Sequence, residues 1–141
     1  MKTLQEFLES REGKRYDVYL DSVGKPTVGI GHLVLKEDNL KVGDRVTEEQ
    51  IAIWFDKDIQ TAKNKAIVQC QELDIHNEEI LNIFISANYQ LGDFKKVFNT
   101  TFDLIKNKKY AKAILNIAIS KWMQQTPIRA GDMISAITKL V

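Results

Sequence analysis

The 141-residue sequence holds one cysteine, two histidines, two prolines and no long uninterrupted apolar run. Cys70 alone excludes an internal disulfide framework, so the fold is expected to rest on its packed core in a reducing compartment, with the thiol buried rather than reactive. No second histidine or cysteine stands at ligand spacing, so no metal site is expected. Residues 1–15 interrupt their apolar positions with Gln5, Glu6, Glu9 and Arg11, which excludes a signal-peptide core or a membrane span there. No repeat, low-complexity tract or Pro/Gly linker marks a boundary. A single domain over 1–141 is expected, and its 44% hydrophobic content suffices to bury a core.

An excess of one charge sign is also missing, since the formal net charge is +1. Residues 1–58 carry nine Lys and Arg against twelve Asp and Glu, and residues 59–141 carry eleven against seven. The basic rear is first a solvated lysine-rich surface, with long-range attraction for an anionic polymer as the functional alternative. A nucleic-acid module would show a basic stripe beside aromatics, and the acidic front argues against it.

What is present reads as helices around one small sheet. Thr3 and Glu6 have capping-box spacing, and Leu4, Phe7 and Leu8 form a helical stripe ending near Arg11 and Glu12. Tyr16, Val18 and Leu20 then alternate, Asp21 to Lys25 supply turn chemistry, and Pro26, Thr27, Val28 and Ile30 resume an extended pattern. Gly29 and Gly31 are expected to leave one face of that strand open to another backbone or a sugar. A phosphate-binding loop is excluded, because His32, Leu33, Val34 and Leu35 follow where Lys and Ser or Thr would be needed.

Thr47 and Gln50 open the longest helix, expected to about Leu73, with Ile51, Trp54, Phe55, Ala62, Ala66 and Cys70 inward. Asp58 falls within that stripe and needs a partner. Ile80 to Leu91 is apolar nearly all round and belongs at the centre of a lobe, with Gln90 a stronger functional candidate than Asn88. Helices follow over Thr100 to Lys106 and Tyr110 to Ile119, the latter expected to face Ala111, Ile114, Leu115 and Ala118 inward. Thr126 and Pro127 read as a capping hydroxyl and a first-turn proline, ahead of a helix lined by Ile128, Met133, Ile134 and Ile137. Arg129 sits unfavourably near that helix's positive end, so another group must hold it.

The chemistry concentrates between Glu12 and His32. Glu12 ends an apolar helical stripe, Asp21 lies nine residues on in a turn, and Thr27 six residues further. Two carboxyl groups in different surroundings are the minimum equipment for cleaving a glycosidic bond, although most surface carboxylates are merely solvated. At a helix C-terminus the dipole disfavours a negative charge, which suits Glu12 to carry a proton.

These residues resemble the active-site region of phage-type lysozymes, the T-even phage endolysin-like muramidases. That family has Glu, Asp and Thr at the same spacings, followed by a T-(V/I)-G-I-G-H-L run that Thr27 to Leu33 match. Ser120, Trp122, Gln125, Thr126, Pro127, Arg129 and Ala130 resemble its S-x-W-x-x-Q-T-P-x-R-A signature, and Tyr89-Gln90-Leu91-Gly92 its aromatic-Q-M-G. The resemblance implies an α+β, mainly helical lysozyme-like fold. A β-containing lobe over about 13–58 and a helical lobe over about 59–141, which includes the first helix at 3–11, would be joined by the long helix.

It further implies an endolysin that hydrolyses the β-1,4 bond between N-acetylmuramic acid and N-acetylglucosamine in peptidoglycan. Glu12 would be the general acid, Asp21 the carboxylate stabilising positive charge and positioning water, and Thr27 a second partner for that water. Leu33, Tyr89, Gln90, Thr101 and Asn116 match sugar-contact positions, Tyr89 and Thr101 as substitutions. His32 would pair with Asp58, and Arg129 would lie against Glu12. No metal, cofactor, nucleic acid or stable membrane insertion is implied. A monomer is expected, made without a signal peptide in a host cytoplasm and acting at the wall or periplasm, with a holin giving access.

A lytic transglycosylase is the alternative, but it would have no use for an Asp and a Thr holding water. A wall-binding or injection-apparatus lobe would lose one of the three oxygens, and all three are here. The connection from His32 to the long helix is shorter than the family pattern, which trims one lip of the expected cleft.

Overall fold

The computed structural model describes residues 2–141, which form eight α-helices and a three-stranded antiparallel sheet, the α+β lysozyme-like fold. Two compact units divide the chain, one reaching to Gln60 and the other running from Thr61 to Val141.

In the first unit, α1 (Leu4–Glu12) begins with the expected reciprocal cap: Thr3 Oγ1 accepts from the Glu6 N–H and Glu6 Oε1 from the Thr3 N–H. Gly13 ends the helix at φ +75°, its N–H bonded to Glu9 O. The strands β1 (Arg15–Leu20), β2 (Pro26–Gly29) and β3 (His32–Leu33) follow in spatial order. Arg15 pairs with Gly29 and Tyr19 with Thr27, so Tyr16, Asp17 and Val18 all face Val28 across a bulge. The other edge of β1 is covered by the chain at 43–46: Val18 N–H donates to Asp44 O, Gly43 N–H to Val18 O and Val46 N–H to Tyr16 O. The bulge breaks the alternation expected of β1. Val18 is buried, whereas Tyr16 and Leu20 are exposed.

The opposite face of the hairpin docks on α2 (Glu48–Glu72). Thr47 Oγ1 accepts the Gln50 N–H at its start. His32, paired in register with Val28, stacks on Trp54 with centroids 4.4 Å apart and planes within 7°. Its Nδ1 lies 2.6 Å from Asp58 Oδ2, the expected partner, and its Nε2 lies 3.0 Å from Asp38 Oδ2. Asp38, in a single 3-10 turn (Lys36–Asp38), also accepts the Leu35 N–H. Burial by itself disfavours the imidazolium, but the two carboxylates outweigh it and raise the His32 pKa above its ordinary 6.5. Asp38 loses solvation too, yet the Leu35 N–H and His32 hold it below its ordinary 3.8.

In the second unit, α3 (Glu78–Leu91) is capped by Asn77 and buries Ile80 and Phe84 to Asn88. Beyond it lie α4 (Phe94–Val97), α5 (Asn99–Lys106), α6 (Tyr110–Ala118), α7 (Lys121–Gln125) and α8 (Pro127–Thr138). The sequence pattern missed α4 and α7, each a short helix begun by one capping side chain, Asp93 and Ser120. Phe94 is central: its ring meets Phe84 edge-on at 5.4 Å and packs with Phe98 and Trp122.

The structure corrects the inward face expected of α6 and one residue of that expected of α8, where Met133 and Ile137 are buried as expected. In α6, Ala113 and Ile117 are buried while Leu115 is 58% exposed. Tyr110, Ala113, Ile114 and Ile117 have the same helical spacing as Ala111, Ile114, Leu115 and Ala118, and the polar side formed by Lys112 and Asn116 lies opposite Ile114, which both sets share, so the pattern does not choose between them. In α8, Ile128 is 67% exposed, and Ala130, Met133, Ala136 and Ile137 form the core face.

The His32 cluster gives a pH-dependent expectation. His32, with its raised pKa, contributes fully below 6.5 and less as pH climbs through its folded value. Asp38, with its lowered pKa, contributes fully above 3.8 and less as pH falls through its folded value. Asp38→Asn should therefore be destabilised most between pH 3.8 and 6.5, by about 2 kcal/mol. Denaturant unfolding across pH measures this, and a flat deficit would exclude an ionic pairing.

Candidate active site

Glu12 is the last residue of α1 and is half-buried. Its carboxyl group lies against Gly31: a Cβ built there would fall 2.5 Å from Glu12 Oε1 and 2.6 Å from Cδ. Gly31 also holds φ +64°, so a side chain is disfavoured there twice over. Gly29, at φ +67°, has Ile51 atoms at 3.3 Å from the same construction. The space over these glycines is thus taken by a carboxylate and an isoleucine rather than left for a backbone or a sugar. That corrects the sequence-based expectation.

Asp21 and Thr27 are fixed by the backbone of one residue, Lys25. Asp21 Oδ1 accepts the N–H groups of Val23 at 2.9 Å and Lys25 at 2.8 Å. The Lys25 carbonyl accepts from the Asp21 N–H at 2.9 Å and from Thr27 Oγ1 at 3.0 Å. With Oδ1 occupied, Asp21 Oδ2 makes no hydrogen bond among the described residues. Thr27 has spent its hydroxyl proton and offers lone pairs. Asp21 is half-buried and Thr27 buried.

Strand register adds neighbours to Thr27. Tyr19 and Leu33 are its Cα partners on β1 and β3, so the three side chains form one row on one face. Leu33, an expected sugar contact, is 47% exposed. The Tyr19 phenol is pushed above its ordinary value chiefly by burial, with Glu12 adding, Arg15 opposing, and Asp21 adding again. Both carboxylates therefore act on this residue of the row.

The remaining expected residues lie in the second unit. Gln90 is engaged at both ends of its amide, accepting from Trp122 Nε1 at 2.8 Å and donating to Thr126 Oγ1 at 3.1 Å. The Thr126 hydroxyl consequently does not cap α8, although Pro127 does open that helix. Asn88 is buried and exchanges hydrogen bonds with Gln69 while accepting the Phe94 N–H. Thr101 is 2% exposed within α5, so the structure does not bring its hydroxyl to the surface as a sugar contact requires. Tyr89 and Asn116 are half-buried. Arg129 is buried and donates from Nη2 to both the carbonyl and the hydroxyl of Ser86, each at 2.8 Å.

Sequence reasoning missed Asp38, Ser86 and the seat that Gly31 gives Glu12. Asp38 stands six residues after His32 in a polar loop, and spacing alone does not single it out. Among the described residues, no group of three or more His, Cys, Asp and Glu is arranged to hold a metal ion. A hollow of about 660 Å³ beside α4 is lined by Lys65, Gln69, Glu72, Asp93 and Lys95 among others. Those groups are satisfied by one another and by backbone, as in Lys65 to Gly92 O and Lys95 to Glu72.

The family model described as phage lysozyme matches residues 9–139. The sequence is 29% identical to probable T4-type lysozyme 1 of Dictyostelium discoideum over 97% of this chain and 94% of that protein. Probable T4-type lysozyme 2 of the same organism is 27% identical over 96% of this chain and 93% of that protein. The peptidoglycan hydrolase gp36 of Pseudomonas phage phiKMV is 32% identical over 87% of this chain, a match that spans 14% of the phage protein.

The Gly31 seat is testable by a double-mutant cycle. Gly31→Ala should cost about 1 to 2 kcal/mol from left-handed strain in any background, and more where the Glu12 carboxyl must also move. In a Glu12→Ala background that extra cost should vanish. Equal losses in both backgrounds, measured by denaturant unfolding, would show that the carboxyl does not occupy the seat.

Proposed function

The chain belongs to the phage lysozyme family, glycoside hydrolases acting on peptidoglycan, and we propose that it cleaves the β-1,4 bond between N-acetylmuramic acid and N-acetylglucosamine with inversion. Glu12 is assigned as the general acid. It donates its proton to the glycosidic oxygen as that oxygen leaves the anomeric carbon and positive charge develops on the sugar ring. Asp21 and Thr27 hold the attacking water on the opposite face.

The supporting observation is the Lys25 backbone, whose N–H occupies Asp21 Oδ1 and whose carbonyl takes the Thr27 hydroxyl proton. Asp21 Oδ2 and Thr27 Oγ1 are then both acceptors. A water that gives one hydrogen to each keeps a lone pair for the anomeric carbon, and on attack its proton passes to Asp21. An Asp21 acting as nucleophile would need to approach the sugar directly, and a threonine spent as an acceptor would have nothing to do. The biological role we assign is lysis of a phage host. The protein would be made in the host cytoplasm, act as a monomer, and reach the wall through a holin lesion.

Glu12→Gln should lower the rate on purified peptidoglycan by about 10²-fold or more with the unfolding midpoint unchanged. Retained activity would remove Glu12 from the acid's role. By NMR, the sugar first released by the wild type should be the α anomer. A β anomer would place the water on the wrong face, and a 1,6-anhydro product would replace hydrolysis by internal attack.

A further inference from the structure

Tyr19 stands at the proposed catalytic centre with no part in the chemistry just assigned. It is the direct cross-strand partner of Thr27, in the row that continues to Leu33. Residues directly opposite on antiparallel strands have Cβ atoms about 5 Å apart on the same face, so the ring leaves the sheet beside the Thr27 hydroxyl. One side of the ring is covered: the Arg15 guanidinium lies 4.2 Å from the ring centroid, and Arg15 is itself tied to Asp17 by a 3.0 Å ion pair. Arg15, Asp17 and Tyr19 therefore brace one another along β1, which limits the ring's freedom before any ligand arrives. The ring is half-buried, yet its hydroxyl makes no hydrogen bond among the described residues. Half-buried, that hydroxyl is left to solvent or to a ligand.

We propose that Tyr19 is a substrate-binding residue, its phenol O–H donating to a neutral oxygen of the amino sugar beside the scissile bond. This rests on the muramidase reading above. Burial, with Glu12 and Asp21 close by, keeps the phenol protonated, so it acts as a donor and not as a base. The same two carboxylates disfavour an anionic acceptor next to the hydroxyl. An acetamido carbonyl or a sugar hydroxyl fits, and the lactyl carboxylate of muramic acid does not. The braced position makes this a contact to substrate and transition state alike, so its loss should appear in binding more than in turnover.

Tyr19→Phe keeps the ring, the Arg15 stack and the packing while removing only the donor. On soluble, peptide-free peptidoglycan glycan strands, KM should rise roughly three- to tenfold, with kcat within about twofold and the unfolding midpoint unchanged. Calorimetric binding of the same strands to Glu12→Gln and to the Glu12→Gln, Tyr19→Phe double variant should show the same loss in Kd. Wild-type KM and Kd would overturn the proposal, as would a fall in kcat without a change in KM or Kd. If Glu12→Gln still hydrolyses the strands, the assignment of the acid fails on its own. The KM comparison between wild type and Tyr19→Phe then still decides Tyr19.

Discussion

The arrangement of the first unit depends on a histidine that cannot be left alone. A charged imidazole removed from water is costly unless opposite charges surround it, and His32 is buried on a strand of only two residues. Two carboxylates supply that compensation, Asp38 from the turn just after the strand and Asp58 from α2, while Trp54 covers the ring. The cluster pins both the short β3 strand and the shortened loop behind it. That hairpin carries Gly31, against which Glu12 rests, and through strand register it sets Thr27 beside Tyr19 and Leu33.

Positioning in this unit is largely the work of backbone. Lys25 contributes an N–H and a carbonyl, and its side chain has no part in holding Asp21 or Thr27. Gly31 contributes the absence of a Cβ in a left-handed conformation. Fixed dipoles of this kind lose little conformational entropy when a substrate binds, which is why a tight turn suits a water-holding site better than long side chains do.

In the second unit the residues with the most specific family signature are mainly structural. Ser120 caps α7, Trp122 and Thr126 bond the Gln90 amide, Pro127 opens α8, Arg129 donates to Ser86, and Ala130 is wholly buried. Apart from Pro127, which is exposed and starts a helix, each satisfies a polar group or fills the core, and a buried polar group left unsatisfied costs about 1–3 kcal/mol. A sequence signature therefore reports what the packing cannot give up as readily as what the chemistry needs. Gln90 joins the two: its amide makes one hydrogen bond from each end within the protein and keeps a second N–H and a second lone pair.

Local patterns in the sequence determined the helix starts at Thr3, Thr47 and Pro127, the turn at Asp21 to Lys25 and the extent of α2, whereas His32 as the partner of Asp58, 26 residues away, came from the family resemblance alone. Caps, turns and one-sided stripes are set by residues within a few positions of each other, so they can be read without the fold. Tertiary structure alone decided which flank of the apolar side of α6 is buried and that Ile128 at the start of α8 is not, because a polar pair or a single first-turn residue leaves the centre of the inward face open by a quarter turn or more. It also decided that Asp38 joins His32, that Glu12 fills the place over Gly31, and that the bulge in β1 puts Tyr19 level with Thr27. These are meetings of segments separated by loops and strand register, and sequence spacing does not encode the distances across them.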